Sequence, residues 1–123
     1  MKHVALILAL VMAVAACGGE TADEPESLGV ELFSGIVVGG KAGCTSCHST
    51  DPGAGGVGPS LAGIGALAAT RISGQSAAEY LRQAIVDPDV HIVDGYNSGV
   101  MPKGWNLSDA QIDSLVEYLL GLE

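Results

Sequence analysis

Residues 44–48 read Cys44-Thr45-Ser46-Cys47-His48, and this C-x-x-C-H pentapeptide constrains the fold of the whole chain. On a helical turn, two thiols three positions apart can reach the two vinyl groups on one edge of a porphyrin. A histidine directly after the second cysteine then lies beneath the ring, where its imidazole can bind iron. The spacing is the attachment signature of c-type haem. We therefore predict one haem c, bound covalently through Cys44 and Cys47, with His48 as an iron ligand.

Other kinds of site also contain a C-x-x-C pair. A dithiol redox motif is expected near a βαβ pattern, which the sequence lacks. A zinc site needs a fourth ligand, and only His91 is available, with no second cysteine pair at finger-like spacing. A structural disulfide would leave His48 without a role. Haem attachment is the use that accounts for all three side chains.

The first 16 residues have the shape of a secretory signal peptide. A short basic start, Met1-Lys2-His3, precedes a 13-residue apolar run over residues 4–16. A bilayer-spanning helix needs about 20 apolar residues, so this run is too short to span. The stretch Val14-Ala15-Ala16-Cys17-Gly18 resembles a bacterial lipobox, which implies cleavage before Cys17 and a diacylglyceryl group on its sulfur. The alternative is soluble secretion, with Cys17 an ordinary residue.

Cysteine usage is consistent with a lipid on Cys17. The chain has three cysteines, and a leftover thiol is a hazard in an exported protein. With haem on Cys44 and Cys47 and a lipid on Cys17, no thiol is left over. Residues 17–26 are then predicted to be the lipidated cysteine and a flexible acidic tether, because they contain no large apolar residue. Residues 27–123 are predicted to form a single domain.

The charge balance excludes one class of partner. The chain has 14 acidic and 5 basic residues and a net charge of −9, and loss of Lys2 with the signal would make it more negative. A nucleic-acid-binding surface needs a basic patch, so we predict no nucleic-acid partner. Paired catalytic carboxylates, a Ser-His-Asp arrangement and a phosphate-binding glycine motif are also missing. We therefore predict no enzyme and no small-molecule substrate.

Apolar periodicity and helix caps predict an all-α domain with long loops and no strand. A first helix is predicted from Ser27 to about Val38, with apolar residues at helical spacing: Leu28, Leu32, Phe33, Ile36 and Val37. Residues 62–69 are predicted as a short helix. Capping boxes at Ser76 and Ser108 predict helices to about Val86 and Leu120. Residues 51–58 and 88–106 are predicted loops, because both segments are rich in glycine and proline.

Two predicted helices have an apolar face that is expected to pack in the core. In the helix after Ser76 this face is a narrow stripe of Leu81, Ala84 and Ile85. In the last helix the buried face is predicted to be Ile112, Leu115, Val116 and Leu119, with Asp113, Ser114 and Glu117 outward.

With these features, residues 28–122 resemble a class I cytochrome c. The matching features are Leu32-Phe33 before CTSCH, Gly58-Pro59-Ser60-Leu61 after it, the helix from Ser76, the pair Met101-Pro102, and the closing helix. The stretch from Tyr80 to Pro102 resembles small bacterial monohaem cytochromes and the haem c domains of haem–copper oxidase subunit II. The resemblance implies three to five helices wrapped around one covalent haem.

The resemblance also implies a set of cofactor-binding residues. Met101 is the implied distal iron ligand, 53 residues after His48, with Pro102 stiffening its loop. His91 is the rival, and bis-histidine ligation would lower the reduction potential. Pro59 would accept a hydrogen bond from the proximal imidazole. Arg71, Tyr96 and Trp105 are implied to lie near the haem propionates, the alternatives being a surface charge for Arg71 and core packing for the two aromatic residues. Gly29, Phe33 and Tyr118 resemble the crossing of the first and last helices.

The function implied by the resemblance is one-electron transfer by a membrane-tethered carrier in a respiratory or photosynthetic chain. Redox proteins would dock at the exposed haem edge, near Cys47, Val57 and Val100. The protein would be exported and lipid-anchored, on the periplasmic side or outer face of a bacterial membrane, as a monomer or as part of a redox complex. The alternatives are a fixed electron relay within a larger membrane oxidoreductase, and a haem-based sensor or catalyst with a labile distal ligand.

Overall fold

A computed structural model describes residues 25–123, which form four α-helices and one very short β-hairpin. The helices are α1 (Pro25–Ser34), α2 (Ile64–Arg71), α3 (Ala77–Val86) and α4 (Asp109–Leu120). Single 3₁₀ turns lie at Cys44–Ser46 and Pro88–Val90. Long loops join these elements, and the predicted all-α class is confirmed. The predicted signal peptide, the lipidation site Cys17 and most of the predicted tether lie outside the described residues.

The segment after α1 differs from the prediction. The helix ends at Ser34 and not near Val38, and the antiparallel strands β1 (Val37–Val38) and β2 (Lys41–Ala42) follow, so the prediction of no strand was wrong. Gly39 and Gly40 both have positive φ, which permits a two-residue turn between the strands. Branched Val37 and Val38 favour extended backbone. Ile36 and Val37 were predicted on the apolar face of the helix but are 86% and 70% exposed.

Helix starts are set by local chemistry. Helix α1 begins at Pro25, two residues before the predicted start, and proline suits a first helical turn because its missing N–H has no partner there. Helix α2 lies two residues later than predicted, after Gly63 in a left-handed conformation. Both predicted capping boxes are confirmed, at Ser76 with Glu79 and at Ser108 with Gln111.

The core lies between α1, α3 and α4, with one face of α2 packed against them. Its buried residues include all four predicted on α4 and two of the three predicted on α3: Phe33, Ile64, Ala68, Tyr80, Leu81, Ile85, Ile112, Leu115, Val116 and Leu119. Ser114 was predicted outward but is buried. Its hydroxyl donates to the Ala110 carbonyl at 3.0 Å, which satisfies the group within its own helix.

Helices α1 and α4 cross at close range. A Cβ placed on Gly29 would lie 2.2 Å from the Ser114 carbonyl oxygen, so only glycine fits at this crossing. Beside it, the Phe33 and Tyr118 rings pack with their centroids 5.1 Å apart. The crossing forms one wall of the cavity that contains the candidate site. Within residues 25–123, no helix combines the length and apolar character needed to cross a membrane.

Candidate functional site

A cavity of about 350 Å³ opens between the Cys44–Ser46 turn, helix α3 and the loop before α4. Its lining is mostly apolar, as in sites that bind large organic cofactors. All eight residues predicted from the sequence to bind the cofactor line this one cavity: Cys44, Cys47, His48, Pro59, Arg71, Tyr96, Met101 and Trp105. His91, the rival ligand, lines it too. The chain path therefore brings together residues that are 61 positions apart in the sequence.

The Cys-x-x-Cys-His segment forms a single tight turn. The backbone N–H groups of Cys47 and His48 donate to the Cys44 carbonyl at 3.1 and 2.9 Å, and both thiols are free. Gly43 begins the turn by donating to the Ile36 carbonyl at 2.8 Å. A Cβ on Gly43 would lie 1.7 Å from the Gly35 carbonyl oxygen, so this position also requires glycine. The sequence carried no signal for that requirement.

The protonation of Cys44 argues against a dithiol redox site. Burial raises the pKa of the Cys44 thiol above its ordinary value. Cysteines of dithiol oxidoreductases have lowered pKa values, because the thiolate is the reacting form. The zinc alternative needs at least three converging ligands, and within residues 25–123 no group of three His, Cys, Asp or Glu side chains is arranged to hold a metal ion.

The His48 imidazole is fixed in both orientation and tautomer. Its Nδ1–H donates to the Pro59 carbonyl oxygen at 2.8 Å. Because a carbonyl can only accept, the proton lies on Nδ1 and the lone pair lies on Nε2. Gly58 packs against the ring, since a Cβ there would lie 2.5 Å from His48 Cε1. This arrangement leaves Nε2 available to an iron atom, as in other metal sites with a hydrogen-bonded histidine.

Two buried nitrogen donors that line the cavity have no hydrogen-bond partner among the described residues: Arg71 Nε and Trp105 Nε1. Buried polar groups normally have partners, so each calls for an acceptor. A haem carries two propionate carboxylates, which are acceptors of the required kind. The orphaned donors, the two thiols and the free Nε2 of His48 together fit a covalently attached haem.

Aromatic and histidine side chains also line the cavity. His91 packs edge-on against Tyr80, with ring centroids 5.6 Å apart. Burial raises the pKa of the Tyr80 hydroxyl. Tyr80 was not among the predicted site residues, although it lies one turn before Ala84 on the apolar stripe of α3. The four-residue spacing between Tyr80 and Ala84 was the sequence signal that could have identified Tyr80 as a residue of the site. The Tyr96 hydroxyl lies near Gly55, where a Cβ would be 2.9 Å away.

A second cleft, lined by Thr70, Arg71, Asp94 and residues 91–93, adjoins the cavity. It shares Arg71 and residues 91–93 with the main cavity. The cleft is therefore part of the same site, on the side where the orphaned Arg71 nitrogen lies.

Comparison with known proteins places this site in a family. No curated protein sequence matches the chain. The family model described as cytochrome c matches residues 35–123, which is well over half of the chain and includes every residue of the cavity except Phe33. With the Cys-x-x-Cys-His turn and the cavity that it lines, this match shows that the chain belongs to the cytochrome c family.

Proposed function

We propose that this cytochrome c is a membrane-tethered one-electron carrier whose haem iron is bound by His48 and Met101. Family membership accounts for a covalent haem c, for electron transfer and for redox proteins as partners. When bound, the haem supplies a one-electron couple at its iron. We propose, in addition, the two iron ligands, the lipid tether and a role in a respiratory or photosynthetic electron-transport chain.

The observation that carries the proposal is that His48 and Met101 line the same cavity, while Nε2 of His48 has a free lone pair. With both His48 and Met101 as its ligands, the iron would have no position left for a substrate. Such a centre passes electrons and does not activate oxygen or peroxide. His/Met ligation also raises the potential relative to bis-histidine ligation.

Partners would reach the haem through the rim of the cavity. Val57 and Val100 line the cavity and are 58% and 46% exposed, so they form an apolar rim. Small apolar contacts suit brief encounters, and transient redox interfaces bury less than about 1,200 Å². The acidic surface adds steering towards a basic partner at low salt.

Optical spectra of the haem-loaded protein test the ligands. We expect a ferric methionine-to-iron charge-transfer band and a ferrous spectrum that carbon monoxide does not change. Met101→Ala should abolish the band and admit carbon monoxide, whereas the matched His91→Ala variant should retain both properties. The opposite pattern would assign His91 as the ligand. Carbon monoxide binding to the unaltered protein would favour the sensor or catalyst alternative.

Fatty-acid labelling tests the tether. The lipobox-like sequence before Cys17 supports a lipid anchor, so the full chain expressed in a bacterium should incorporate labelled fatty acid and sediment with membranes. Cys17→Ser should remain unlabelled. Labelling that persists in Cys17→Ser would overturn the anchor. Gentle solubilisation then separates a free carrier, which migrates alone, from a fixed relay, which co-migrates with an oxidoreductase.

A further inference from the structure

The loop that carries Met101 has few polar connections to the rest of the protein. Among residues 25–123, no backbone–backbone hydrogen bond joins residues 97–105 to the rest of the chain. Its polar contacts are made instead by side chains of the segment after α3. They come from Asp87 and Asp89, which lie at the start of the Pro88–Val90 turn and within it.

Asp89 contacts the loop on both sides of Met101. One carboxylate oxygen, Oδ1, accepts a hydrogen bond from the backbone N–H of Gly99 at 2.7 Å. The other, Oδ2, lies 2.9 Å from the Lys103 ammonium nitrogen. Gly99 and Lys103 stand two residues before and two residues after Met101. A single carboxylate therefore contacts both ends of a five-residue segment with Met101 at its centre.

Asp89 itself is well anchored. It follows Pro88, which is buried and whose ring fixes φ at the end of α3. The Val90 N–H closes the turn on the Asp87 carbonyl at 3.2 Å. The Asp89 side chain is only 27% exposed, against 49% for Lys103. The turn thus connects the Met101 loop to a core helix.

Charge strengthens both contacts. The Gly99 N–H, and to a lesser extent Lys103, lowers the pKa of the Asp89 carboxyl below its ordinary value and so favours the ionised form. Hydrogen bonds to an ionised acceptor are about twice as strong as those between neutral groups. Asp87 adds a contact of 3.0 Å to Lys103 but does not reach Gly99.

We propose that Asp89 is a positioning residue that holds the Met101 thioether on the haem iron by binding the Gly99 backbone on one side of it and the Lys103 side chain on the other. The proposal rests on the proposed Met101 ligation. Loss of methionine from iron requires the loop to move away, and the two contacts of Asp89 oppose that movement. Asp89 touches neither haem nor iron in this role.

Imidazole binding to the ferric haem-loaded protein tests the proposal, because exogenous imidazole binds only when methionine leaves. Asp89→Ala removes both contacts, and we expect imidazole to bind about tenfold faster or more. Asp89→Asn keeps an acceptor for Gly99 but loses the charge, so its effect should be smaller. Asp87→Asn, which leaves Gly99 bonded, should change the rate little. The charge-transfer band should weaken in the same order.

Glu117→Gln is the matched control for charge, since Glu117 is an exposed carboxylate on α4 that does not line the cavity. It should leave the rate unchanged. Equal acceleration in Glu117→Gln and Asp89→Asn would show a general charge effect and overturn the proposal. A normal band and an unchanged rate in Asp89→Ala would also overturn it, while Met101 ligation stood. A missing band in the unaltered protein would instead refute the ligation on which the proposal rests.

Discussion

The Nδ1–H of His48 donates a 2.8 Å hydrogen bond to the carbonyl oxygen of Pro59. The two residues are eleven positions apart, and the glycine-rich loop between them returns to place the carbonyl beside the ring. Gly58 makes this return feasible, because its missing side chain leaves room for the imidazole. The contact sets the tautomer of His48 and, in its proposed role as an iron ligand, its basicity towards iron.

Gly58→Ala should disturb the His48 ring without removing any polar group. The new Cβ would lie 2.5 Å from Cε1 and 2.8 Å from Nδ1, so the imidazole must shift. We expect a loss of about 1–3 kcal/mol in stability and a changed midpoint potential. Urea unfolding and redox titration of the haem-loaded protein measure the two effects. Gly56→Ala is the control, since its Cβ would meet only the Cys47 carbonyl oxygen at 3.5 Å. Equal effects in both variants would contradict the steric explanation.

Trp105→Phe should lower the midpoint potential by an amount on the order of tens of millivolts. The buried Nε1–H of Trp105 has no partner among the described residues, and a haem carboxylate would supply one. Loss of this donor leaves the carboxylate charge less compensated, which favours ferric iron. Redox titration measures the shift. Tyr118→Phe, a change outside the cavity, should leave the potential unchanged, and an unchanged potential in Trp105→Phe would show that Nε1 is not bonded to the haem.

Gly29→Ala should destabilise the crossing of α1 and α4 by about 1–3 kcal/mol. The methyl group would lie 2.2 Å from the Ser114 carbonyl oxygen and 2.7 Å from Tyr118 Cβ. Because the Ser114 carbonyl is part of the α4 backbone, the clash can be relieved only if one of the two helices moves. In an open helical position the same change would be stabilising. Chemical unfolding measures the loss. Val30→Ala, at a 45% exposed neighbour on the same helix, should change stability by less than about 0.5 kcal/mol. A neutral Gly29→Ala would contradict the close crossing.

Glu79 should make the stability of the protein depend on pH in acid. The Ser76 hydroxyl, and then the Ser76 backbone N–H, hold the pKa of the Glu79 carboxyl below its ordinary value. A carboxylate with a lowered pKa in the folded state stabilises that state above the unfolded pKa, about 4.3. That contribution is lost as the pH falls through the folded-state pKa. Glu79→Gln should therefore flatten the decline of the urea midpoint between roughly pH 6 and pH 3.

The second capping box supplies the reciprocal variant. In α4 the equivalent position is Gln111, whose amide oxygen accepts from the Ser108 N–H at 2.9 Å and does not titrate. Gln111→Glu should therefore steepen the same decline. If neither substitution altered the decline of the urea midpoint in acid, the capping boxes would not contribute to the pH dependence of stability.

Features that depend on neighbours within about four residues were predictable from the sequence. The Cys-x-x-Cys-His turn, the two capping boxes and the buried face of α4 all belong to this class, because one helical turn closes their hydrogen bonds or their apolar stripe. Ser114 is the exception on α4. Its burial follows from the approach of Gly29 on another helix, which the periodicity of α4 does not contain.

The sequence by itself determined the haem-attachment chemistry, the family and the helical class, since these follow from residue types at short fixed spacings. Only the tertiary structure decided that Pro59, Arg71, Met101 and Trp105 line one cavity, and that Asp89 contacts residues on both sides of Met101. It also decided that α1 ends at Ser34 and gives way to a hairpin. These features depend on the paths of long loops. Such paths are set by burial and by distant hydrogen-bond partners, whose positions no local pattern specifies.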